Sequence, residues 1–186
     1  MNTISLNEAA NLLLEGKIGV LPTDTVYGVV ARASDEAAVA RLYSLKNREN
    51  KPGTLIAANV EQLAELGFPA SELERASKYW PGAVSVVMPL HSKDYLTQDI
   101  QSLAARVVDA PKLRDLLTKT GPLITSSANP PGLKTASQIS EAYDYFLTQI
   151  DFYVDGGQNR SNISSTVIKF ESNQLVKLRQ GSVIVD

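Results

Sequence analysis

Short apolar segments alternate with helix-patterned segments along this 186-residue chain, and no apolar run approaches the length of a membrane-spanning helix. Apolar runs of four to eight residues are typical of buried strands. Strands and helices in alternation, without repeats or long linkers, predict one α/β domain over residues 1–186 with a central mixed sheet. The predicted strands are 18–21, 28–33, 54–58, 83–90, 102–108, 122–126, 152–154, 165–170 and 174–178, the last two forming an antiparallel hairpin.

Capping signals predict where the helices begin. The stretches 5–8 and 71–74 carry the capping-box pattern, in which a side-chain oxygen binds a free backbone N–H of the first turn. Pro111 suits the first helical position, where its missing N–H is not needed. The predicted helices begin at Ser5, at Ser34 or Asp35, and at Asn59, Ser71, Pro111 and Ser137, and they end near residues 16, 46, 66, 80, 118 and 150.

Composition excludes several classes of chemistry. The chain has no cysteine and one histidine, His91, so disulfides and Cys/His zinc sites are excluded and a serine–histidine–aspartate triad is disfavoured. The net charge of −2 gives no overall attraction to nucleic acids or membranes. The N-terminus lacks a signal-peptide pattern, and we expect a cytoplasmic protein whose catalysis rests on Lys, Arg, Ser, Thr, Asp, Asn and Tyr.

The polar stretch Pro-Thr-Asp-Thr at 22–25 interrupts two apolar segments. One interpretation is a proline-initiated turn in which Asp24 bonds its own backbone. The other is a strand end that directs hydroxyls and a carboxylate into a pocket. Similar polar stretches occur in KNRENK, TSSAN and SSTV. Because loops converge at strand ends in open α/β sheets, several such stretches together favour a single ligand pocket.

The basic residues in and near these stretches each leave two interpretations. Lys46 and Arg48 follow a helix, where cations complement the helix dipole, but a lysine and an arginine together also suit a phosphate clamp. Arg106 in a predicted strand and Arg179 near the C-terminus either face solvent or reach an anionic ligand. The common nucleotide motifs GxxxxGK[ST] and GxGxxG are absent.

Seven motifs, in order, resemble those of the YrdC/TsaC family, the L-threonylcarbamoyladenylate synthases, in its short single-domain form. They cover practically the whole chain: PTDTVYG at 22–28, KxR at 46–48, WPG at 80–82, Arg106, SSAN at 126–129, STV at 165–167 and RxG at 179–181. The chain departs from the family pattern at Glu49 and Val108, where proline is usual. It also departs at 83–85 after WPG, and in a loop one residue short around Lys51.

The resemblance implies a fold and a reaction. The fold would be an open, twisted α/β sheet flanked by helices, with a wide ligand cavity. The activity would be that of a nucleotidyltransferase, which joins L-threonine, bicarbonate or CO₂, and ATP into threonylcarbamoyl-adenylate and releases pyrophosphate. Mg²⁺ would be bound mainly through phosphates. Downstream proteins would transfer the threonylcarbamoyl group to the adenosine beside the tRNA anticodon.

The resemblance also implies roles for individual residues. Lys46 and Arg48 would be catalytic, and no side chain is expected to ligate a metal ion directly. L-threonine and its carbamate would contact Thr23, Thr25, Tyr27, Lys51, Arg106, Ser127 and Ser165. The nucleotide would contact Lys46, Arg48, Asn129, Ser137, Thr166 and Arg179. Catalysis would rest on positioning and charge stabilisation at phosphorus, without a histidine base.

Two alternatives remain open. A protein of this fold could bind tRNA or double-stranded RNA, although its 18 basic residues are scattered among 20 acidic ones, which argues against tight binding. It could also be a paralogue acting on a different substrate, which is disfavoured by the retained residues Lys46, Arg48, Ser127, Asn129 and Arg179. A steep salt dependence of RNA affinity would favour the first, and threonine-dependent ATP cleavage would favour the synthase.

Overall fold

One mixed sheet of nine strands runs through the computed structural model, which describes residues 2–47, 51–172 and 174–185. Its strands are β1 Gly19–Pro22, β2 Tyr27–Arg32, β3 Thr54–Ala57, β4 Val84–Pro89, β5 Ser102–Val107, β6 Leu123–Ser127, β7 Phe152–Tyr153, β8 Thr166–Glu171 and β9 Gln174–Arg179. They lie in the order β7-β1-β2-β6-β3-β5-β4-β8-β9. The pairs β1–β7, β3–β5 and β4–β8 are parallel and the other five are antiparallel, which confirms the predicted mixed sheet.

The position of β6 in the sheet depends on pairing between distant parts of the chain. This strand lies between β2 and β3 and is antiparallel to both, with Thr125 opposite Val30 on one side and Thr54 on the other. A strand with a neighbour on each side can pair its backbone groups along both edges. The polar segment that follows Leu123–Ser127 is thereby placed at the centre of the sheet.

Seven α-helices surround the sheet within the described residues. They are α1 Leu6–Leu14, α2 Glu36–Leu45, α3 Val60–Leu66, α4 Ala70–Ser77, α5 Asp94–Thr97, α6 Pro111–Thr120 and α7 Ile139–Phe146. The predicted capping box before α1 is confirmed, since the Ser5 hydroxyl accepts the Glu8 N–H and the Glu8 carboxylate accepts the Ser5 N–H. Asp35 and Asn59 cap α2 and α3 as predicted. None of these helices is long and apolar enough to cross a bilayer.

Two predicted helix starts were wrong. The chain re-enters a helix at Ala70 rather than after Ser71, because Gly67 ends α3 with a positive φ and Phe68 packs into the core, which leaves Pro69 as the cap residue. Ser137 does not cap α7 either. Its N–H and hydroxyl both bond the Glu141 carboxylate, and the cap position falls one residue later.

The predicted ends of these two helices were also too late. The helix α4 ends at Ser77 rather than near Trp80. The helix α7 ends at Phe146, and the chain turns at Leu147, whose φ is +46°, into a single 3₁₀ turn over 147–149. The short helix α5 was not predicted at all.

The helices cover the two faces of the sheet unequally. The larger core cluster packs α2, α3, α4, α5 and α7 against one face. The smaller one packs only α1 and α6 against part of the other. Successive side chains of β3 point to opposite faces of the sheet and so belong to different clusters. Leu55 and Ala57 lie in the larger cluster and Ile56 in the smaller. Part of the second face is therefore not covered by any helix of the described residues.

Candidate active site

A cavity of about 250 Å³ lies on this less covered face of the sheet. Its lining residues Gly28, Thr54 and Thr125 are each two positions from Val30, Ile56 and Leu123 of the smaller core cluster, so they share a face with it. The lining consists mainly of small hydroxyl residues with two arginines: Thr23, Thr25, Val26, Gly28, Pro52, Gly53, Thr54, Ala104, Arg106, Thr125, Ser126, Ser127, Ser164, Ser165, Val167 and Arg179. Neutral donors and acceptors with two cations suit a small anionic or zwitterionic ligand.

Thr23 closes a turn at the edge of this cavity. Its hydroxyl donates to the Val26 carbonyl at 2.6 Å and accepts the backbone N–H groups of Thr25 and Val26, both at 3.2 Å. Threonine side chains commonly stabilise turns in this way. The stretch 22–25 does form a turn, but the Thr23 side chain closes it, which differs from the interpretation in which Asp24 bonds its own backbone.

Asp24 instead forms a buried ion pair with Arg106 of β5. One of its oxygens, Oδ1, lies 2.5 Å from Nη2, and the two carboxylate oxygens lie 3.2 and 3.1 Å from Nε. Both side chains are only 3% exposed. Arg106 also contacts two neutral hydroxyls, Thr25 Oγ1 at 3.2 Å from Nη2 and Ser85 Oγ at 3.5 Å from Nη1. Arg106 therefore faces the cavity rather than solvent.

Ser165 connects the buried arginine to the exposed one. Its hydroxyl lies 2.9 Å from that of Ser85, and it accepts a hydrogen bond of 3.3 Å from Arg179 Nη2. Arg179 also donates from Nε and Nη2 to the Ser165 carbonyl, at 3.1 and 2.9 Å. The cavity is thus lined by the buried guanidinium of Arg106 and the exposed guanidinium of Arg179.

Lys46 lies behind the serine-rich loop after β6. Its side chain is almost fully buried, and its ammonium group donates to the carbonyls of Ser127, at 2.7 Å, and of Asn129. The Asn129 amide donates in turn to the carbonyls of Pro130 and Leu133. These bonds hold the loop in shape, and Ser127 lines the cavity while Lys46 and Asn129 do not.

Tyr27 is placed away from the cavity. It is 1% exposed, and its hydroxyl donates to the Gly157 carbonyl at 2.7 Å and accepts the Gly156 N–H at 2.8 Å. Burial raises the pKa of Tyr27 above its ordinary value, and the hydrogen bond from the Gly156 N–H partly offsets this effect. The observed role of Tyr27 is to anchor the loop 155–157 against the turn.

Three further predicted site residues, Thr166, Ser137 and Lys51, do not line the cavity. The Thr166 hydroxyl, which is fully buried, accepts the Gly181 N–H and donates to the Val183 carbonyl. Ser137 lines a separate polar cleft of about 430 Å³ together with Lys134 and Arg160. Lys51 is exposed and lies outside the cavity lining. Arg48 lies outside the described residues.

Sequence reasoning missed Ser85, Thr54 and Thr125 as parts of the site, and it considered the Asp24 carboxylate without predicting its pairing with Arg106. A polar residue at an inward position of an apolar strand was the available signal for Ser85, in AVSVVM. Within the described residues, no group of three or more His, Asp or Glu side chains could hold a metal ion.

Comparisons with known proteins match nearly the whole chain. The Sua5_yciO_yrdC family model, described as telomere recombination, matches residues 11–181. The threonylcarbamoyl-AMP synthase of Pseudomonas syringae pv. syringae (strain B728a) is 32% identical over 177 residues, which are 92% of this chain and 96% of that protein.

Solved structures share the same architecture. P. abyssi Sua5 complexed with L-threonine has a TM-score of 0.85 and 31% identity, and the match covers 95% of this chain and 54% of that one. This chain thus spans about half the length of that protein. E. coli YciO, at 22% identity and a TM-score of 0.82, shares the fold over 95% of this chain and 88% of its own.

Proposed function

The chain belongs to the Sua5/YciO/YrdC family, and from this premise we propose that it is a threonylcarbamoyl-AMP synthase. Its substrates would be L-threonine, bicarbonate or CO₂, and ATP, and its products threonylcarbamoyl-adenylate and pyrophosphate. The observation that carries this proposal is the hydroxyl-lined cavity with a buried guanidinium, Arg106, and an exposed one, Arg179.

The cavity suits the amino-acid part of the reaction. A cavity of about 250 Å³ would hold threonine or its carbamate, and the rest of a nucleotide would extend beyond it. Arg106 would bind the threonine carboxylate through paired N–H groups. The hydroxyls of Thr25, Ser127 and Ser165 would meet the threonine hydroxyl and the carbamate, and Thr23 would shape the wall they stand on.

ATP would extend from this cavity past its exposed arginine. Arg179 would contact the phosphates, and Asn129 and Ser137 would lie along the path of the ribose and base. We retain Lys46 and Arg48 as candidate phosphate ligands, although Lys46 holds the loop after β6 and would need to shift to reach a phosphate. Any Mg²⁺ would enter bound to the phosphates, where it would neutralise charge.

The chemistry needs positioning more than a protein base. The free amine of threonine adds to CO₂, forming an N–C bond and releasing one proton to solvent. A carbamate oxygen then attacks the α-phosphorus of ATP, and the bond to pyrophosphate breaks. Fixed hydrogen-bond donors around the carbamate and cations around the phosphates lower the barrier to this displacement. The product would pass to proteins that modify the adenosine beside the tRNA anticodon, in the cytoplasm.

Pyrophosphate release tests this function directly. We expect release from ATP with Mg²⁺ and bicarbonate to require L-threonine, with serine and alanine poor substitutes. Arg106→Gln should lower kcat/KM for threonine by about 100-fold, because a buried charged hydrogen-bonding partner is lost. The matched control is Arg114→Gln, on the exposed side of α6. The absence of threonine-dependent release, from protein shown to be folded, would contradict the proposal and favour a paralogue or an RNA-binding protein.

A further inference from the structure

Arg106 has two edges that can bind a carboxylate, and one of them is already occupied. A guanidinium presents paired N–H groups along its Nε/Nη2 edge and again along its Nη1/Nη2 edge. Asp24 contacts the first edge at 2.5–3.2 Å. Among the described residues, the second edge contacts the neutral hydroxyls of Thr25 and Ser85, at 3.2 and 3.5 Å.

The two partners of this ion pair differ in their relation to the cavity. Arg106 belongs to the lining, whereas the buried Asp24 does not. The backbone on both sides of Asp24 is held by the Thr23 hydroxyl, which bonds Val26 and the N–H of Thr25. Asp24 thus stands behind the guanidinium on an anchored turn, and the edge left for a ligand is the one with the weaker contacts.

We infer that Asp24 is a positioning residue, which clamps one edge of Arg106 so that the other edge faces the carboxylate of the amino-acid substrate. This inference rests on the proposed function. An arginine side chain has several rotatable bonds, and a fixed partner on one edge removes most of that freedom before the ligand binds. The hydroxyls on the free edge of Arg106 can rotate aside when the substrate binds. A protein carboxylate on that edge would instead compete with the substrate carboxylate.

The charge of Asp24 also allows Arg106 to be buried before any ligand binds. An unpaired guanidinium away from water is unfavourable, and a partner on the rear edge satisfies it without filling the ligand's place. The alternative is that Asp24 itself occupies the substrate's position and must leave. Its absence from the cavity lining and its anchored backbone argue against that alternative.

The first test compares Asp24→Asn, which removes the charge at constant shape, with Asp24→Glu, which keeps it. We expect Asp24→Asn to raise the KM and the calorimetric Kd for L-threonine at least tenfold, with the KM for ATP within twofold of the parent. Asp24→Glu should recover part of the threonine affinity. Thermal melting of each variant would show whether it is folded. If Asp24→Asn does not fold, Asp24→Glu still tests the inference, because its displaced carboxylate should raise the threonine KM above that of the parent.

A double-mutant cycle tests whether Asp24 acts through Arg106. Once Arg106→Gln is present, adding Asp24→Asn should change threonine affinity by less than twofold. An equal further loss in that background, or threonine binding in Asp24→Asn as tight as in the parent or tighter, would overturn the inference. A parent protein that is folded but binds no threonine would instead overturn the proposed function on which it rests.

Discussion

At the scale of single residues, neighbouring side chains in the stretch 22–25 have different tasks. Thr23 closes the turn, Asp24 pairs with Arg106 across 82 positions of sequence, and Thr25 places its hydroxyl 3.2 Å from the same guanidinium. Successive residues in a tight turn point in different directions, so one short polar stretch serves both the backbone and the cavity. The substrate contact predicted for Thr23 is therefore disfavoured, because its hydroxyl already forms the hydrogen bonds that close the turn.

Thr23→Val should therefore act on stability first. Removing the hydroxyl leaves the Val26 carbonyl and two N–H groups without this partner, which is expected to lower the free energy of unfolding by about 1–2 kcal/mol. Thr23→Ser, which keeps the hydroxyl, is the control and should stay within about 0.5 kcal/mol. Urea denaturation measures both, and an unchanged Val variant would show that the turn does not depend on this side chain.

At the scale of elements, the segment after β9 is held against the start of β8. Gly181 lies so close to this backbone that an added Cβ would stand 2.2 Å from the Ser164 carbonyl oxygen and 2.4 Å from the Thr166 nitrogen. The buried Thr166 hydroxyl also accepts the Gly181 N–H. The glycine of the RxG motif is therefore required by packing, and it sets the path of the chain that carries Arg179.

Gly181→Ala should push this segment away from β8 and move Arg179 with it. The atoms it would strike belong to the backbone and cannot rotate aside, so we expect a loss of about 1–3 kcal/mol in stability together with slower pyrophosphate release. The exposed neighbour Ser182→Ala is the matched control. Normal stability and activity in Gly181→Ala would mean that the segment is not packed as described.

At the scale of the whole molecule, Asp151 joins helix α2 to the edge of the sheet. It bonds Arg41 of α2, at 2.6 and 3.0 Å, and the Ile18 N–H before β1, at 2.8 Å. Burial tends to raise the pKa of Asp151, but its bonds to Arg41 and Ile18 outweigh that effect and hold it below its ordinary value. A carboxyl group with a lowered folded-state pKa stabilises the protein above its unfolded pKa of about 3.9.

The contribution of Asp151 should therefore disappear as the pH falls from about 4 through its lower folded-state pKa. Asp151→Asn is expected to destabilise the protein at pH 7 by about 1 kcal/mol, because the ion pair is partly exposed. The difference from the parent should shrink below pH 4. Melting curves across this range test the prediction, with the exposed Asp144→Asn of α7 as the control. A difference that is constant with pH would exclude a charge effect.

Local patterns in the sequence determined most of the secondary structure and several features of the site. Strand segments, the capping box at 5–8 and the proline at the start of α6 depend on side-chain period and on backbone groups within a few residues. The same locality explains the failures at Ser71 and Ser137. There, a buried Phe68 and the carboxylate of Glu141 shifted the helix starts by one or two residues.

The tertiary structure alone decided which of these segments meet. The insertion of β6 between β2 and β3, the pairing of Asp24 with Arg106 and the bonds of Lys46 to the loop after β6 each join residues more than 80 positions apart or strands out of chain order. The sequence marked Arg106 as a charge in a strand and left open whether it faced solvent. The direction that Arg106 faces depends on which parts of the sheet the helices cover. The packing of the whole core decides that cover, and a local sequence pattern does not contain it.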